Sequence, residues 1–444
     1  MRLLLLILGD IFTLYLGLFI TLLLRYGANF YNLFVSLHFL PFSIVFVLWI
    51  AVFYIAGLYD FRRLRNNLEF LKTLNLTIFV DAIIAITFFY LIPAFGITPK
   101  TNLFIFIVVF TVIETIWRRL WNRATALGEP AQNIVLTGDS DASRELANFI
   151  LQNPQLGYKI AARFPDSILP SSLNNIEGWQ TLIKEKKIDL IIVPPHFKKE
   201  SRFAKTFYQL LTLGVEIRDL PHFYETVFRK VPLNEIDEEW FLEKITGEHK
   251  FYDELKCAIE ILAALVLEII LLPLEIIIAI IIKLSSLGPV IYKQVRVGKK
   301  EQEFMLYKFR TMNVGAEKNG AQWKTSGITD PRLTPVGRFL VASHLDELPQ
   351  LINIIKGELS FVGPRSERPE FVKVLAEKIP YYDIRHLIKP GVTGWAQINF
   401  RYAASIEDSY EKLQYDIYYI KNRSIILDAA IILKTIKSFF VNQR

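Results

Sequence analysis

Cysteine is nearly missing from this chain: Cys257 is the only one in 444 residues. That excludes an intramolecular disulfide and fits a reducing compartment. The first apolar run, 3–24, lacks a small-residue cleavage site and is followed by further apolar runs, so it reads as a retained span and not a signal peptide. No glycine fingerprint of the G-x-G-x-x-G kind follows the first predicted strand, and no nucleic-acid-binding motif occurs. Basic residues are scarce in two of the connections between apolar runs, which carry only Arg25 and Lys100.

What the chain has in excess is apolar and aromatic residues: 52% hydrophobic, with 34 Phe and 19 Tyr. That is high for a soluble enzyme and points to membrane segments. Runs at 3–24, 38–58, 73–95 and 101–117 each approach the ~20 residues a spanning helix needs. Arg62, Arg63, Arg65 and Lys72 follow the second run, and Arg118, Arg119 and Arg123 follow the fourth. The positive-inside rule then puts both ends of a four-helix bundle, 1–124, in the cytoplasm. Asp81, costly in lipid, is expected to face other helices.

The pattern changes at 125–248. Asn133–Gly138, Lys159–Phe164, Ile188–Pro194 and Val215–Leu220 read as strands separated by helical stretches, such as Ser140–Leu151. This alternation predicts a Rossmann-like parallel α/β domain. Its first turn, Gly138-Asp139-Ser140-Asp141, would repel a pyrophosphate, so a structural or regulatory role is expected rather than dinucleotide binding. Residues 222–250 read as a connector, with Glu235–Glu239 a solvated face.

From 257 to 284 the chain is apolar again, with Pro273 near the middle and Glu260, Glu268 and Glu275 inside. A simple span would put the basic segment after it on the outside, against the positive-inside rule. Pro273 removes a backbone hydrogen bond and favours a break. A re-entrant hairpin on the cytoplasmic side satisfies both facts. From Lys283 onward, 25 Lys/Arg stand against 16 Asp/Glu, so lipid and phosphates are the expected partners, not nucleic acid.

The chemistry concentrates at His344-Leu345-Asp346-Glu347-Leu348-Pro349-Gln350. Pro349 and Gly357 punctuate a short helix between them. Adjacent carboxylates before a helix are ordinarily an acidic cap. Here Gly363-Pro364-Arg365-Ser366-Glu367-Arg368 adds two arginines on a turn suited to bidentate phosphate contacts, which makes a phosphoryl-transfer site the better reading.

In order, Gly288–Gly298, Tyr307-Lys308-Phe309-Arg310-Thr311-Met312, Asp330–Arg338, the Leu-Asp-Glu-Leu-Pro-Gln stretch, Phe361–Arg365 and Lys389–Asn399 closely resemble the bacterial sugar transferase family. These are monotopic phosphoglycosyl transferases, and the resemblance covers 249–444. The bundle and the Rossmann-like domain ahead of it are similar to the large members, the polyprenyl-phosphate hexose-1-phosphate transferases. The implied fold is a membrane protein, α plus α/β, whose mainly α catalytic domain carries the re-entrant helix, with Pro273 matching its break.

The resemblance implies that Asp346 is the nucleophile, taking a sugar phosphate from a nucleoside-diphosphate sugar, a UDP-sugar, and passing it to a polyprenyl (undecaprenyl) phosphate. Nucleoside monophosphate leaves, and the reaction starts exopolysaccharide, O-antigen or capsule synthesis. It implies that Glu347, with Asp346, holds Mg²⁺, which offsets the like charge met by an anion attacking a diphosphate. Lys308, Arg310, Arg338 and Arg365 match positions that hold phosphate oxygens. A homodimer in the bacterial inner membrane, catalytic domain on the cytoplasmic face, completes what the resemblance implies.

Val341-Ala342 stand where relatives carry a basic pair, Ser366 replaces a common proline, and Glu268 is unusual in the hairpin. His344 reads as incidental. Two other functions compete: a catalytically silent scaffold for polysaccharide assembly, and a glycosyltransferase releasing nucleoside diphosphate.

Overall fold

Long uninterrupted apolar stretches become long helices. In the computed structural model, which describes residues 2–59, 68–92, 101–127, 132–165, 176–199, 201–245, 250–316, 330–400 and 405–441, these are α1 (Arg2–Tyr26), α2 (Phe39–Ala56), α3 (Leu68–Leu91) and α4 (Thr101–Leu127). The four share an apolar core that includes Leu14, Leu18, Phe42, Trp49, Leu74, Phe89, Phe106 and Phe110. The chain divides into two units, Met1–Arg218 and Asp219–Arg444.

Among the described residues, the stretches long and apolar enough to cross a membrane are Leu3–Ala56, Phe70–Tyr90 and Lys250–Ser285, which marks the protein as membrane-associated. The α4 helix is not among them. It carries Glu114 and Arg118, and Arg118 is not the loop charge that the sequence suggests. Its guanidinium is fully buried, donating to Asp10 Oδ2 at 2.5 Å, Glu114 Oε1 at 2.8 Å and Leu58 O at 2.7 Å. Thr13 and Trp117 donate to the same two carboxylates. A buried charge group is tolerable when each member is hydrogen-bonded in this way. Asp81 is fully buried among the helices, as expected, with neither carboxylate oxygen bonded among the described residues. Arg62, Arg63, Arg65 and Lys100, used for topology, lie outside the described residues.

The alternating region forms a sheet in the order β2–β1–β3–β4, from β1 (Gln132–Thr137), β2 (Tyr158–Phe164), β3 (Leu190–Val193) and β4 (Glu216–Asp219). The β1 strand is parallel to both neighbours. Ser140 caps the helix Asp141–Gln152 by accepting from Ser143 N. In the turn before it, Asp139 pairs with Arg144 and Arg163, at 3.2 and 3.3 Å. A carboxylate therefore occupies the place where a Rossmann fold would cradle a pyrophosphate.

In the second unit, the segment read as a connector is part of the core. Val231, Leu233, Trp240 and Phe241 pack with Leu375 and Ile417, and Asp237 caps the helix Glu238–Lys244. Next comes α5 (Lys250–Ser285), a single helix with Pro273 inside it: Pro273 lacks the N–H of a helical bond, yet the helix is not interrupted there as the sequence predicts. The antiparallel pair β5 (Ile291–Val297) and β6 (Glu303–Phe309) follows, then α6 (Pro335–Ser343), α7 (Gln350–Ile355) and the parallel pair β7 (Ser360–Val362) and β8 (Gly391–Thr393).

Only 11% of the apolar stretch of α5 is buried against protein. Yet both its ends are tied to the same unit. At the start, Arg423 pairs with Asp253 at 3.0 Å and Lys256 pairs with Asp428 at 2.7 Å. At the end, Arg310 donates to Ser286 O and Leu287 O. Between them, Ala264 and Leu271 pack on Phe304, Leu306, Leu351 and Ile354, and Ile278 and Ile282 pack on Phe309 and Leu340.

Candidate active site

The α6 helix ends at Ser343 because His344 turns into the left-handed region, at φ 57°. A single 3-10 turn, Leu345–Glu347, carries the two carboxylates, and Pro349 then leads into α7, which closes at Gly357 with φ 76°. Sequence punctuation thus gives the local geometry. The α7 helix has only six residues, too few for its dipole to hold a phosphate. Cations from elsewhere in the unit supply the positive potential.

Lys308, on β6, donates to Glu347 Oε1 at 2.5 Å and lies 3.9 Å from Asp346 Oδ2. Arg365 reaches Glu347 Oε1 at 3.6 Å while its side chain stays 45% exposed. Burial alone would raise the Glu347 carboxyl, but Lys308 and Arg365 outweigh it and pull the group down to about 2. Glu347 is therefore an anion throughout the physiological range. Asp346 is buried beside it. Leu345 and Leu348, which bracket the dyad, pack into the cluster formed by Ile278, Ile282, Phe309 and Leu340. The acids thus sit on the C-terminal half of the apolar helix.

Of the predicted phosphate ligands, Lys308 and Arg365 join the dyad. Arg310 stands apart, clasping the end of α5 through Ser286 and Leu287. Arg338 is exposed on α6, and its side chain makes no hydrogen bond or ion pair among the described residues; its backbone N–H donates to Thr334 O. Pro273 lies inside α5. Val341 and Ala342 belong to the end of α6, where the missing basic pair leaves Ala342 exposed. Ser366 accepts from Arg296 through its carbonyl.

Two positioning residues escape a sequence reading. Asn353 is fully buried; its Oδ1 accepts from Tyr307 N at 3.1 Å and its Nδ2 donates to Met305 O and Glu358 Oε2, both at 2.7 Å. It ties α7 to the strand that carries Lys308. Its signal is one amide inside the apolar run Leu351–Ile355. Glu260, in the apolar helix α5, accepts from Ser360 Oγ at 2.8 Å and Phe361 N at 3.2 Å, anchoring the strand that leads to Arg365. A carboxylate in an apolar run is visible in sequence; its partner is not.

The profile of the bacterial sugar transferases matches residues 251–442. An exopolysaccharide production protein, PSS, of Rhizobium leguminosarum bv. phaseoli is 35% identical over 190 residues, which is 94% of its length and 41% of this chain. This chain belongs to the bacterial sugar transferase family. A UDP-N-acetylgalactosamine-undecaprenyl-phosphate N-acetylgalactosaminephosphotransferase of Aeromonas hydrophila is 43% identical over 187 residues, spanning 42% of this sugar transferase but only 44% of the relative. A UDP-glucose:undecaprenyl-phosphate glucose-1-phosphate transferase of Klebsiella pneumoniae is 28% identical across 98% of this chain and 94% of its own. The Klebsiella similarity runs through the N-terminal helices and the parallel sheet as well as the dyad.

Proposed function

We propose that this sugar transferase moves a sugar-1-phosphate from a UDP-sugar to undecaprenyl phosphate at the cytoplasmic face of the bacterial inner membrane, starting exopolysaccharide synthesis. The observation that carries the reading is the double contact of the dyad. One side meets Lys308 and Arg365, and the flanking Leu345 and Leu348 rest on Ile278 and Ile282 of an apolar helix. A water-soluble anionic donor and a lipid-bound phosphate acceptor need such a meeting place. The names of the Aeromonas and Klebsiella relatives supply the donor and acceptor classes.

An Asp346 oxygen attacks the sugar-bearing phosphorus, and the bond from that phosphorus to the bridging oxygen breaks. Nucleoside monophosphate leaves with the electron pair. An oxygen of undecaprenyl phosphate then attacks the same phosphorus, the carboxylate leaves, and a lipid diphosphosugar forms. Lys308 and Arg365 bind phosphate oxygens and stabilise charge as the bonds change.

Asp346 and Glu347 fit Mg²⁺, a hard cation commonly held by one or two carboxylates together with substrate phosphates. When bound, Mg²⁺ would neutralise part of the diphosphate charge. The low proton affinity of Glu347 keeps a ligand oxygen free of protons across the working range.

We also read Lys250–Ser285 as re-entrant. What supports it is that both of its ends bind the same unit while most of the stretch between is not covered by protein.

The test is a UDP-sugar labelled in the sugar-bearing phosphate, with purified full-length enzyme and no lipid. Wild type should retain label and pass it to added undecaprenyl phosphate, releasing UMP. Asp346→Asn should retain none, and activity should fall by roughly 10³-fold or more. Glu347→Gln should recover partly at high Mg²⁺. Turnover without retained label, activity in Asp346→Asn, or release of UDP would overturn the assignment.

A further inference from the structure

The hairpin between β5 and β6 turns through Lys299–Glu301, and Lys300 and Glu301 both adopt left-handed φ there, at 56° and 61°. Against this turn lies a six-residue 3-10 helix, Tyr382–Leu387. Side chains three positions apart eclipse on such a helix, so Asp383 and His386 stand one above the other. A carboxylate oxygen of Glu301, one of Asp383 and a ring nitrogen of His386 all lie within 4.8 Å of one another. The β6 strand extends about 17 Å from Glu303 to Lys308, so the cluster occupies the far end of the hairpin from the dyad.

The side chains of Glu301 and Asp383 are exposed and make no hydrogen bond or ion pair among the described residues, although Lys299 and Lys300 share the turn with Glu301. Two exposed acids alone would be an ordinary solvated pair. His386 is different, because it is only 7% exposed and its Nδ1 is buried with no hydrogen-bond partner among the described residues. Tyr382 packs edge-on against its ring at 6.2 Å, which fixes the plane of the imidazole. A buried polar nitrogen with no partner carries a free-energy cost until a ligand completes it. An imidazole nitrogen with two carboxylate oxygens suits Zn²⁺, whereas Mg²⁺ and Ca²⁺ take oxygen ligands. Bonds of ~2.0–2.1 Å in a tetrahedral zinc site set the ligand atoms about 3.3 Å apart. Rotation of the two exposed carboxylates closes that gap while the buried imidazole stays in place.

We propose that Glu301, Asp383 and His386 form a zinc site, with water in the fourth position, that clips the tip of the β5–β6 hairpin to the 3-10 helix. The clip acts on structure and takes no part in the transfer, so the inference stands apart from the transfer reading. Its reach into the fold runs through Arg385, which lies between two of the ligands. Arg385 is buried and donates to the Arg365 carbonyl at 2.9 Å and to Asp416 Oδ2 at 3.0 Å. Fixing Asp383 and His386 therefore fixes the helix that holds the backbone of Arg365. Because the unfolded chain does not bring residues 301 and 383–386 together, zinc binding adds to the stability of the folded unit.

The test uses purified full-length protein in lipid nanodiscs, stripped with a chelator and returned to millimolar Mg²⁺. It is then titrated with Zn²⁺ against a chromophoric competitor. Wild type should bind one Zn²⁺ per chain with micromolar or tighter affinity, and its Tm should rise with zinc. Glu301→Gln and Asp383→Asn change exposed side chains, so both should fold, and each should weaken zinc by at least about tenfold. His386→Gln should abolish binding. Glu347→Gln and Cys257→Ser should bind zinc as wild type does, which separates the site from the dyad and from the thiol. The proposal is overturned by a wild type that takes up no zinc at micromolar concentration, by wild-type affinity in Glu301→Gln or Asp383→Asn, or by loss of the site in Glu347→Gln or Cys257→Ser. If His386→Gln does not fold, the two exposed variants decide it. Retention of label on Asp346 is read separately: its absence sinks the transfer reading and leaves the zinc site standing.

Discussion

The ammonium of Lys308 donates to Glu347 Oε1 at 2.5 Å, joining residues 39 positions apart. Glu347 falls from an ordinary 4.5 to about 2 despite burial, because Lys308 and Arg365 favour its charged form. Its folded value lies below its unfolded one. The linked stability is therefore complete above pH ~4.5 and is lost as pH falls toward ~2. Lys308→Met should move the acid-unfolding midpoint to higher pH. It should also lower kcat/KM at pH 7 by about 10²–10³-fold, with the acid limb of the rate profile displaced upward. Thermal melts across pH, beside a pH–rate profile, check both.

Gly337 has no room for a methyl group. A Cβ there would lie 1.9 Å from Thr311 O and 2.6 Å from Thr311 C, both backbone atoms. Gly337→Ala should displace α6, cost about 1–3 kcal/mol, and lower kcat because α6 runs directly into the dyad. A drop in Tm together with reduced turnover is the expected pair; an unchanged Tm would show that the helix sits farther from Thr311.

Asn353→Ala removes three hydrogen bonds from a fully buried position, leaving Tyr307 N and Met305 O without their partner. Each orphan costs roughly 1–3 kcal/mol. Denaturation in detergent should show the loss, and Asn353→Asp, which keeps the acceptor for Tyr307 N, should retain that one contact.

Local features were legible in sequence. Pro349 and Gly357 bracket a helix, and the four runs of β-type residues at 133–220 became four strands, since periodicity and turn chemistry act over a few residues. What escaped depends on distant partners. Arg118 read as a loop charge until Asp10, 108 positions away, closed on it. Arg310, matched by resemblance to a phosphate position, also hydrogen-bonds Ser286 and Leu287, partners that no local pattern announces. The acidic run 235–239 looked like a connector's solvated face; one of its residues caps a helix whose Trp240 and Phe241 enter a core.

Topology offers a further check. Lys250→Cys and Lys300→Cys, each in a Cys257→Ser background, should be labelled from the same side in sealed cells, only after the membrane is made permeable. Reaction of position 300 from outside would make Lys250–Ser285 a true span and separate the dyad from cytoplasmic donors.

The leucines on either side of the dyad also set an altitude. On the proposed membrane placement of Lys250–Ser285, Leu345 and Leu348, packed on Ile278 and Ile282, moor Asp346 to a fixed depth relative to the lipid headgroups. In the proposed transfer, undecaprenyl phosphate cannot rise far from that plane, because its tail remains in hydrocarbon. The donor must descend to the carboxylate, and a thinner or thicker bilayer would shift the acceptor's phosphate relative to an acid that stays fixed to its own helix.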